Sequence, residues 1–404
     1  MKVLITGPLK DFSGYAHAGR NMIKALNAVG IDVVARHLKY DDYDYSPTEL
    51  EQQKFQAPMR DCDVVMQFTT PNEIRYIPGK MNIAVFYWET TQIPQYWVDQ
   101  LNTMDLIMVP CRFNAEVIGK SGVRKPIVVC TPPFDMDIYN KSYTKMKLPK
   151  SDGRVIYYNI CQISAKKGID TLLKSYFRAF YNVPDKVMLV LKTYINMVNR
   201  DNEMVAIKNM VENVKRGLRL PIQKYPPVYI IDSILNDEEI YRLHAAGDVY
   251  VCSSRGEGWG IPPFEALAMG KTLISNNWGG LSEFVTQNNS IVYGGCQGIV
   301  FDQRHSDPFL YTGMDAWFQP DECQLTSALR MTYEALANPN VEQAVKDRID
   351  NCRNQGIADT RKFDYRVVGT NLATELKKLY SNWKENGYIK VEQPKEKTDE
   401  VNPV

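Results

Sequence analysis

Short runs that are apolar along their whole length alternate down the chain with stretches in which apolar positions recur every three or four residues. Residues 2–5 form such a run, followed by a glycine-containing loop and a helix predicted over 16–29. Residues 31–35, 64–68, 83–88, 106–109 and 127–130 read as further strands, with helical stretches such as 95–104 and 114–121 between the later ones. Strands without a polar face must be covered on both sides, which predicts a parallel sheet flanked by helices. A lysine-rich, irregular segment at 141–150 interrupts the pattern and reads as a solvated hinge. The alternation then restarts, with strands at 155–160, 187–191, 228–231, 249–252 and 272–275. The helix after the first of these carries Ile169, Leu172, Leu173, Tyr176, Phe177 and Phe180 on one stripe.

This predicts an α/β protein of two doubly wound, Rossmann-like domains, over residues 1–147 and 148–362. An amphipathic helix follows at 363–385, expected to cross back to the first domain, and 386–404 is charged, proline-bearing and poor in core residues, as a disordered tail would be. Residues 298–320 show little periodicity and are expected to form a long loop over the second domain.

Composition narrows the function classes. The formal net charge of +1 supplies no global field toward nucleic acid or an anionic membrane. Hydrophobic residues at 44% and charged residues at 24% suit a packed globular core. None of the eight cysteines forms a CxxC pair, and Cys130 and Cys252 end apolar runs, so reduced structural thiols are expected. The first apolar run is too short for a signal peptide and no segment has the length to span a bilayer, so a cytoplasmic location is expected.

The chemistry concentrates in residues 253–270, directly after a predicted strand and opening a helix. Pro262 and Pro263 suit a first helical turn, and Gly256, Gly258 and Gly260 let the backbone approach a ligand and aim amides at it. A helix N-terminus at the carboxyl end of a parallel strand suits an anion. Glu257 in the loop and Glu265, expected in the first turn, flank those amides. Carboxylates accept hydrogen bonds from sugar hydroxyls and repel phosphate, so the segment calls for a ligand that is both anion and polyol, as a sugar nucleotide is. Taken singly, Glu265 could simply favour the helix dipole and Glu257 could be a surface loop residue.

Glu257 and Glu265 form an E-x7-E pattern, and Gly270-Lys271-Thr272-Leu273-Ile274-Ser275 followed by Gly279-Gly280-Leu281-Ser282-Glu283-Phe284-Val285 extends it. Here the chain resembles the retaining GT-B glycosyltransferases, in particular family 4 (glycosyl transferases group 1), most clearly over about residues 150–290. The resemblance implies a GT-B fold, two Rossmann-like domains facing a cleft, and transfer of a sugar from a nucleotide diphosphate donor to a glycan or other hydroxyl acceptor. It implies that Glu257 contacts the transferred sugar, Glu265 the ribose hydroxyls, and the amides of Gly258, Trp259, Gly260 and Ile261 the donor sugar and phosphates. Lys167 matches the family's diphosphate lysine, whereas Gln162 stands where the family carries arginine; Lys192 is placed to compensate or is a plain surface lysine. Residues 233–239 resemble the loop that packs on the nucleotide base, through Leu235.

In the first domain, Ser13-Gly14-Tyr15 is similar to the glycine loop facing the donor phosphates, although a generic βα turn would also use Gly14. His17, Trp88 and Glu89 are acceptor-side candidates beside Tyr15, with local packing as the alternative; the family's usual histidine near the fourth strand is missing. Asp61-Cys62-Asp63 and Asp135-Met136-Asp137 match a short metal motif of another glycosyltransferase fold but lie outside the donor domain, so neither metal nor other cofactor is expected. The alternatives to a metal-independent, retaining transferase are a sugar-nucleotide epimerase or hydrolase on the same fold, or an inactive donor-binding scaffold. Transfer to a nucleic-acid base is disfavoured by the neutral charge.

Overall fold

The computed structural model describes residues 1–39, 45–195, 200–221, 224–300, 310–311, 313–387 and 389. A first parallel sheet is built from β1 (Lys2–Gly7), β2 (Asp32–His37), β3 (Val64–Phe68), β4 (Met81–Val85), β5 (Leu106–Val109) and β6 (Ile127–Val129), in the order β2-β1-β3-β4-β5-β6. The strands β3, β4 and β5 are buried along their whole length, which is why they carry no polar face. Helices α1 (Gly14–Ala28), α2 (Glu49–Gln56), α3 (Gln95–Leu101) and α4 (Arg112–Lys120) accompany them. Strand β4 stops at Val85, short of the predicted 88, because Phe86 to Trp88 leave the sheet to form part of the cleft edge and the core behind it.

The chain crosses to the second sheet through α5 (Met136–Tyr139). Of residues 141–150, the lysines are exposed while Leu148 is buried and Tyr143 and Met146 pack against the second core, so the segment clings to that core by its apolar side chains. The second sheet holds β7 (Val155–Gln162), β8 (Val187–Tyr194), β9 (Val228–Ile231), β10 (Val249–Val251), β11 (Thr272–Ser275) and β12 (Ile291–Val292), in the order β12-β11-β10-β7-β8-β9. Its helices are α6 (Ile169–Phe180), α7 (Arg200–Leu218), α8 (Asp237–Ala246) and α9 (Ile261–Ala268). The predicted stripe of α6 is buried from Ile169 to Phe180 against β7 and β8.

The expected loop at 298–320 is corrected at its two ends. There β13 (Gly295–Ile299) and β14 (Ala316–Pro320) pair antiparallel, a ribbon whose short strands carry too few alternating positions to announce themselves. Helices α10 (Glu322–Ala337) and α11 (Gln343–Thr360) close the second domain. Helix α12 (Tyr365–Asn386) returns to the first, where Leu372, Ala373 and Leu376 join the core of β1 to β5 and Tyr380 donates to Asp63. The expected tail at 386–404 lies, beyond Asn386, Gly387 and Ile389, outside the described residues.

Strand order positions the site. In each sheet the order reverses once, between β1 and β3 in the first and between β7 and β10 in the second. Ligands bind outside the carboxyl ends of parallel strands at such reversals. Both reversals open toward one cavity of about 470 Å³ lined by both domains.

Candidate active site between the two domains

The second domain supplies the charged wall. Strand β10 delivers Cys252 to Gly260, a loop turned by Gly260 at φ +96°, which caps α9. Proline at the second and third positions of α9 removes two of the N–H groups that a helix start would present. The unbonded donors at this helix start are thereby confined to the loop: the N–H groups of Trp259, Gly260 and Ile261 meet no protein acceptor among the described residues.

Glu257 sits at the centre of this loop. Its Oε1 accepts from Lys167 Nζ at 2.5 Å and from Ser254 Oγ at 2.6 Å, while Oε2 has no protein partner among the described residues. Burial alone would raise this carboxyl, but the Lys167 charge and the two hydrogen bonds outweigh it and hold Glu257 below the usual carboxylate range. Lys167 is presented by the tight turn Ala165–Lys167 beyond β7, so the two residues read from separate motifs form one ion pair. Gln162 and Lys192 line the same cavity from the ends of β7 and β8. Lys192 is buried, its Nζ lying 5.6 Å from the Tyr194 ring centroid, and burial depresses its pKa. Arg255 does not replace the family's missing arginine: its buried guanidinium bonds Ala165 O and Asp170, tying the loop to the lysine turn.

Glu265 lies one turn deeper than expected, as the fifth residue of α9. It is buried yet lines the cavity, accepting from Tyr139 Oη at 3.2 Å and standing 3.5 Å from His244 Nε2.

The first domain supplies a wall on which Phe12, Tyr15, His17 and Tyr87 stand among small and polar residues. Ser13 caps α1, and Gly14 packs toward Ile261 across the cleft. Tyr15 Oη accepts from the Tyr87 N–H at 2.9 Å, fixing two cavity-lining aromatics to each other. His17 also lines the cavity; burial lowers its pKa, Glu265 opposing, and its Nδ1 is buried without a hydrogen-bond partner.

Three expectations change here. Trp88 is a core residue, packed edge-on against Trp97 with its indole N–H donated to Gln92 O, so it does not face the cleft. Glu89 is held by Lys166 from the other domain. Leu235 packs into the second core, and Asp237, Ile240 and Tyr241 from α8 line the cavity in its place. The glycines also have a different partner from the one expected. A Cβ on Gly258 would stand 2.7 Å from the Tyr87 Cβ, and one on Gly256 would stand 2.6 Å from Glu89 O. Both are glycine because the first domain comes too close for a side chain. Gly258 still lines the cavity.

Ser254, Lys166, Tyr139 and Tyr241 escaped the sequence reading. Ser254 adjoins the glycine loop and Lys166 adjoins Lys167, but nothing in sequence links Tyr139 to Glu265, 126 positions away. Three of the four aspartates of these two motifs are engaged in structural contacts. Asp63 accepts from the Lys2 N–H and Tyr380, Asp135 pairs with Lys24, and Asp137 pairs with Arg366. Among the described residues no cluster of three or more His, Cys, Asp or Glu is placed to hold a metal, and no helix is long and apolar enough to cross a membrane.

Comparison with known proteins agrees with this architecture. Residues 141–310 match the family model described as glycosyl transferases group 1. YtcC of Bacillus subtilis, provisionally named a glycosyltransferase, is 27% identical over 202 residues, covering 48% of this chain and 44% of its own length. The chain spans about half the length of the curated relatives it matches. Sucrose-phosphate synthase from Thermosynechococcus elongatus superimposes with a TM-score of 0.61 at 13% identity, over 94% of this chain and 99% of that one. HepE of Anabaena, solved in complex with UDP and glucose, does so with a TM-score of 0.59 at 15% identity, over 94% and 100%. At these identities the likeness is one of fold: two Rossmann-like domains in the GT-B arrangement.

Proposed function

We propose that this chain, with a group 1 glycosyl transferase segment on a GT-B fold, is a glycosyltransferase that takes its sugar from a nucleoside diphosphate donor. The observation that carries the reading is the Lys167–Glu257 pair beside the unbonded amides of Trp259 to Ile261, inside a cavity closed by both domains. The diphosphate lies on those amides and on Lys167, with Lys192 supplying the charge that Gln162 does not. Because Lys167 already faces Glu257, the arriving anion shares its cation with a carboxylate, and the repulsion directs the phosphates to the amides and the sugar hydroxyls to the free Oε2. Glu265 accepts the ribose hydroxyls.

The acceptor hydroxyl approaches from the Tyr15–Tyr87 side. Charge developing on the departing phosphate is met by Lys167 and the amides, and that phosphate takes the acceptor's proton. Departure and attack on one face of the sugar retain its configuration. The step uses no metal. A glycan or other polyol acceptor packs against Phe12, Tyr15 and Tyr87, since aromatic carbon suits the apolar face of a sugar ring.

The deciding experiment couples binding to turnover. UDP, ADP and GDP are titrated by calorimetry, and their sugar derivatives are assayed with and without EDTA, the anomer of the product being read by NMR. Glu257→Gln is expected to lower kcat by about 100-fold while barely altering nucleoside diphosphate affinity, as expected of an interaction strongest in the transition state. Glu265→Gln is expected to weaken diphosphate binding by about 1.5–3 kcal/mol, the range of a hydrogen bond to a charged group. Equal losses of affinity in both variants contradict the division of labour; free sugar without acceptor points to a hydrolase; activity restored only by a divalent cation removes metal independence.

A further inference from the structure

Glu265 is a buried carboxylate at the back of the cavity, and both of its oxygens are approached from behind by side chains the chemistry above does not use. Tyr139 Oη donates to Oε1 at 3.2 Å, from α5 in the crossing segment. His244 Nε2, fully buried on α8, stands 3.5 Å from Oε2 and makes no hydrogen bond among the described residues. The far nitrogen of His244, Nδ1, is 2.9 Å from Tyr158 Oη. A phenol held between Tyr241 and Phe264, with ring centroids at 5.8 and 6.5 Å, has little freedom to leave Oε1.

We propose that Tyr139 and His244 are positioning residues that aim the Glu265 carboxylate at the donor's ribose, so that they set the preference for a ribonucleotide over a deoxyribonucleotide donor. This rests on the ribose-binding reading of Glu265. The geometry supports it in three ways. A carboxylate with four lone-pair directions and one of them taken by a fixed donor presents the remainder in a fixed fan. The Tyr139 phenol remains a donor, because burial and then the Glu265 charge push its pKa well above the ordinary value. The buried His244 ring, its Nδ1 2.9 Å from Tyr158 Oη, keeps its Nε2 3.5 Å from Oε2 and so limits where that oxygen can turn. An unaimed carboxylate would still attract a polyol, but it would no longer distinguish a ribose carrying both hydroxyls from one carrying only the 3′-hydroxyl.

The aim is also tied to the crossing segment. Tyr139 belongs to a single-turn helix anchored by Asp135 to Lys24 of α1 and by Asp137 to Arg366 of α12. The group that orients the ribose acceptor therefore packs in the second core while the residues flanking it are tied to α1 and α12.

The test is calorimetric titration of UDP, ADP and GDP, each against its 2′-deoxy counterpart, with the full chain and with Tyr139→Phe, His244→Asn and Glu265→Gln. For the tightest binder, the wild type is expected to prefer the ribonucleotide by about tenfold or more, the equivalent of one hydrogen bond to a charged group. Tyr139→Phe is expected to reduce that preference to about threefold or less, with 2′-deoxy affinity unchanged. His244→Asn should do the same to a smaller extent. A ratio measured within one variant is insensitive to partial unfolding, which scales both affinities equally. Full ribonucleotide preference retained in both Tyr139→Phe and His244→Asn, but lost in Glu265→Gln, overturns the positioning role and leaves the ribose contact standing. No preference in the wild type overturns both.

Discussion

The two walls of the cleft are made by the same kind of sheet and differ in what their strand ends carry. The second domain brings Lys167, Lys192, Glu257 and Glu265 to the cavity from a tight turn, a strand, the loop after β10 and the second turn of α9. The first brings Phe12, Tyr15, Tyr87 and Pro132, and the polar atoms of Tyr15 and Tyr87 bond each other's segments. Its one cation on this wall among the described residues, Arg20, is turned inward to Leu9 O and Asp11 O. A wall that must meet an anion and several hydroxyls needs groups of fixed charge at fixed places. A wall that receives a neutral partner needs shape and apolar surface. On the function proposed above, donor chemistry falls to one domain and acceptor shape to the other, with the seam between them closed by Gly256 and Gly258 against residues 87–89.

The sharpest way to break this asymmetry uses two adjacent lysines. Lys167 pairs within its own domain with Glu257, whereas Lys166 pairs across the seam with Glu89. Lys167→Met removes a cation from the charged wall and leaves Glu257 buried without it, so kcat is expected to fall by about 100-fold or more, the scale of losing a preorganised electrostatic partner. Lys166→Met only loosens closure and is expected to cost about tenfold or less. Steady-state kinetics of the pair decides; equal losses would mean that the seam is itself part of the charged site.

A smaller effect is expected at the seam. Gly258→Ala places a methyl group 2.7 Å from the Tyr87 Cβ, and the two domains must part or the loop must shift. Overpacking of this kind costs about 1–3 kcal/mol. Thermal unfolding should show that loss together with a raised KM for the acceptor, since Tyr87 belongs to the first domain's wall. An unchanged Tm would mean that the domains are not in contact in solution.

The smallest effect is a pH dependence confined to the charged wall. Glu257 titrates below its ordinary value in the fold, so between its folded and unfolded pKa the unfolded chain binds more protons. Its stabilisation is full above the unfolded value, about 4.3, and is lost as pH falls through the folded one. On acidification from about pH 5 to 3, the wild type should therefore lose Tm more steeply than Glu257→Gln, which lacks this linkage. Parallel slopes would show that the Lys167–Glu257 pair does not persist in solution.

The alternation of apolar runs and amphipathic stretches determined every strand of both sheets but the two-residue β12, because a strand buried on two faces cannot hide its composition and a helix covering it cannot hide its period. Glu257, Lys167 and the loop before α9 were legible for a related reason: a strand end, a turn and a helix start lie next to one another in the chain, so their chemistry appears as contiguous sequence. What only the tertiary structure decided are the contacts made across long sequence separations. The Lys167–Glu257 pair joins positions 90 apart, Gly258 owes its missing side chain to Tyr87, and Glu265 takes its aim from Tyr139, 126 residues upstream. Trp88 shows the same limit from the other side, since an aromatic residue at a strand end reads alike whether it faces a cleft or, as here, the indole of Trp97. Burial and partner are properties of the packed neighbourhood, and the packing of one domain on the other leaves no periodicity in either.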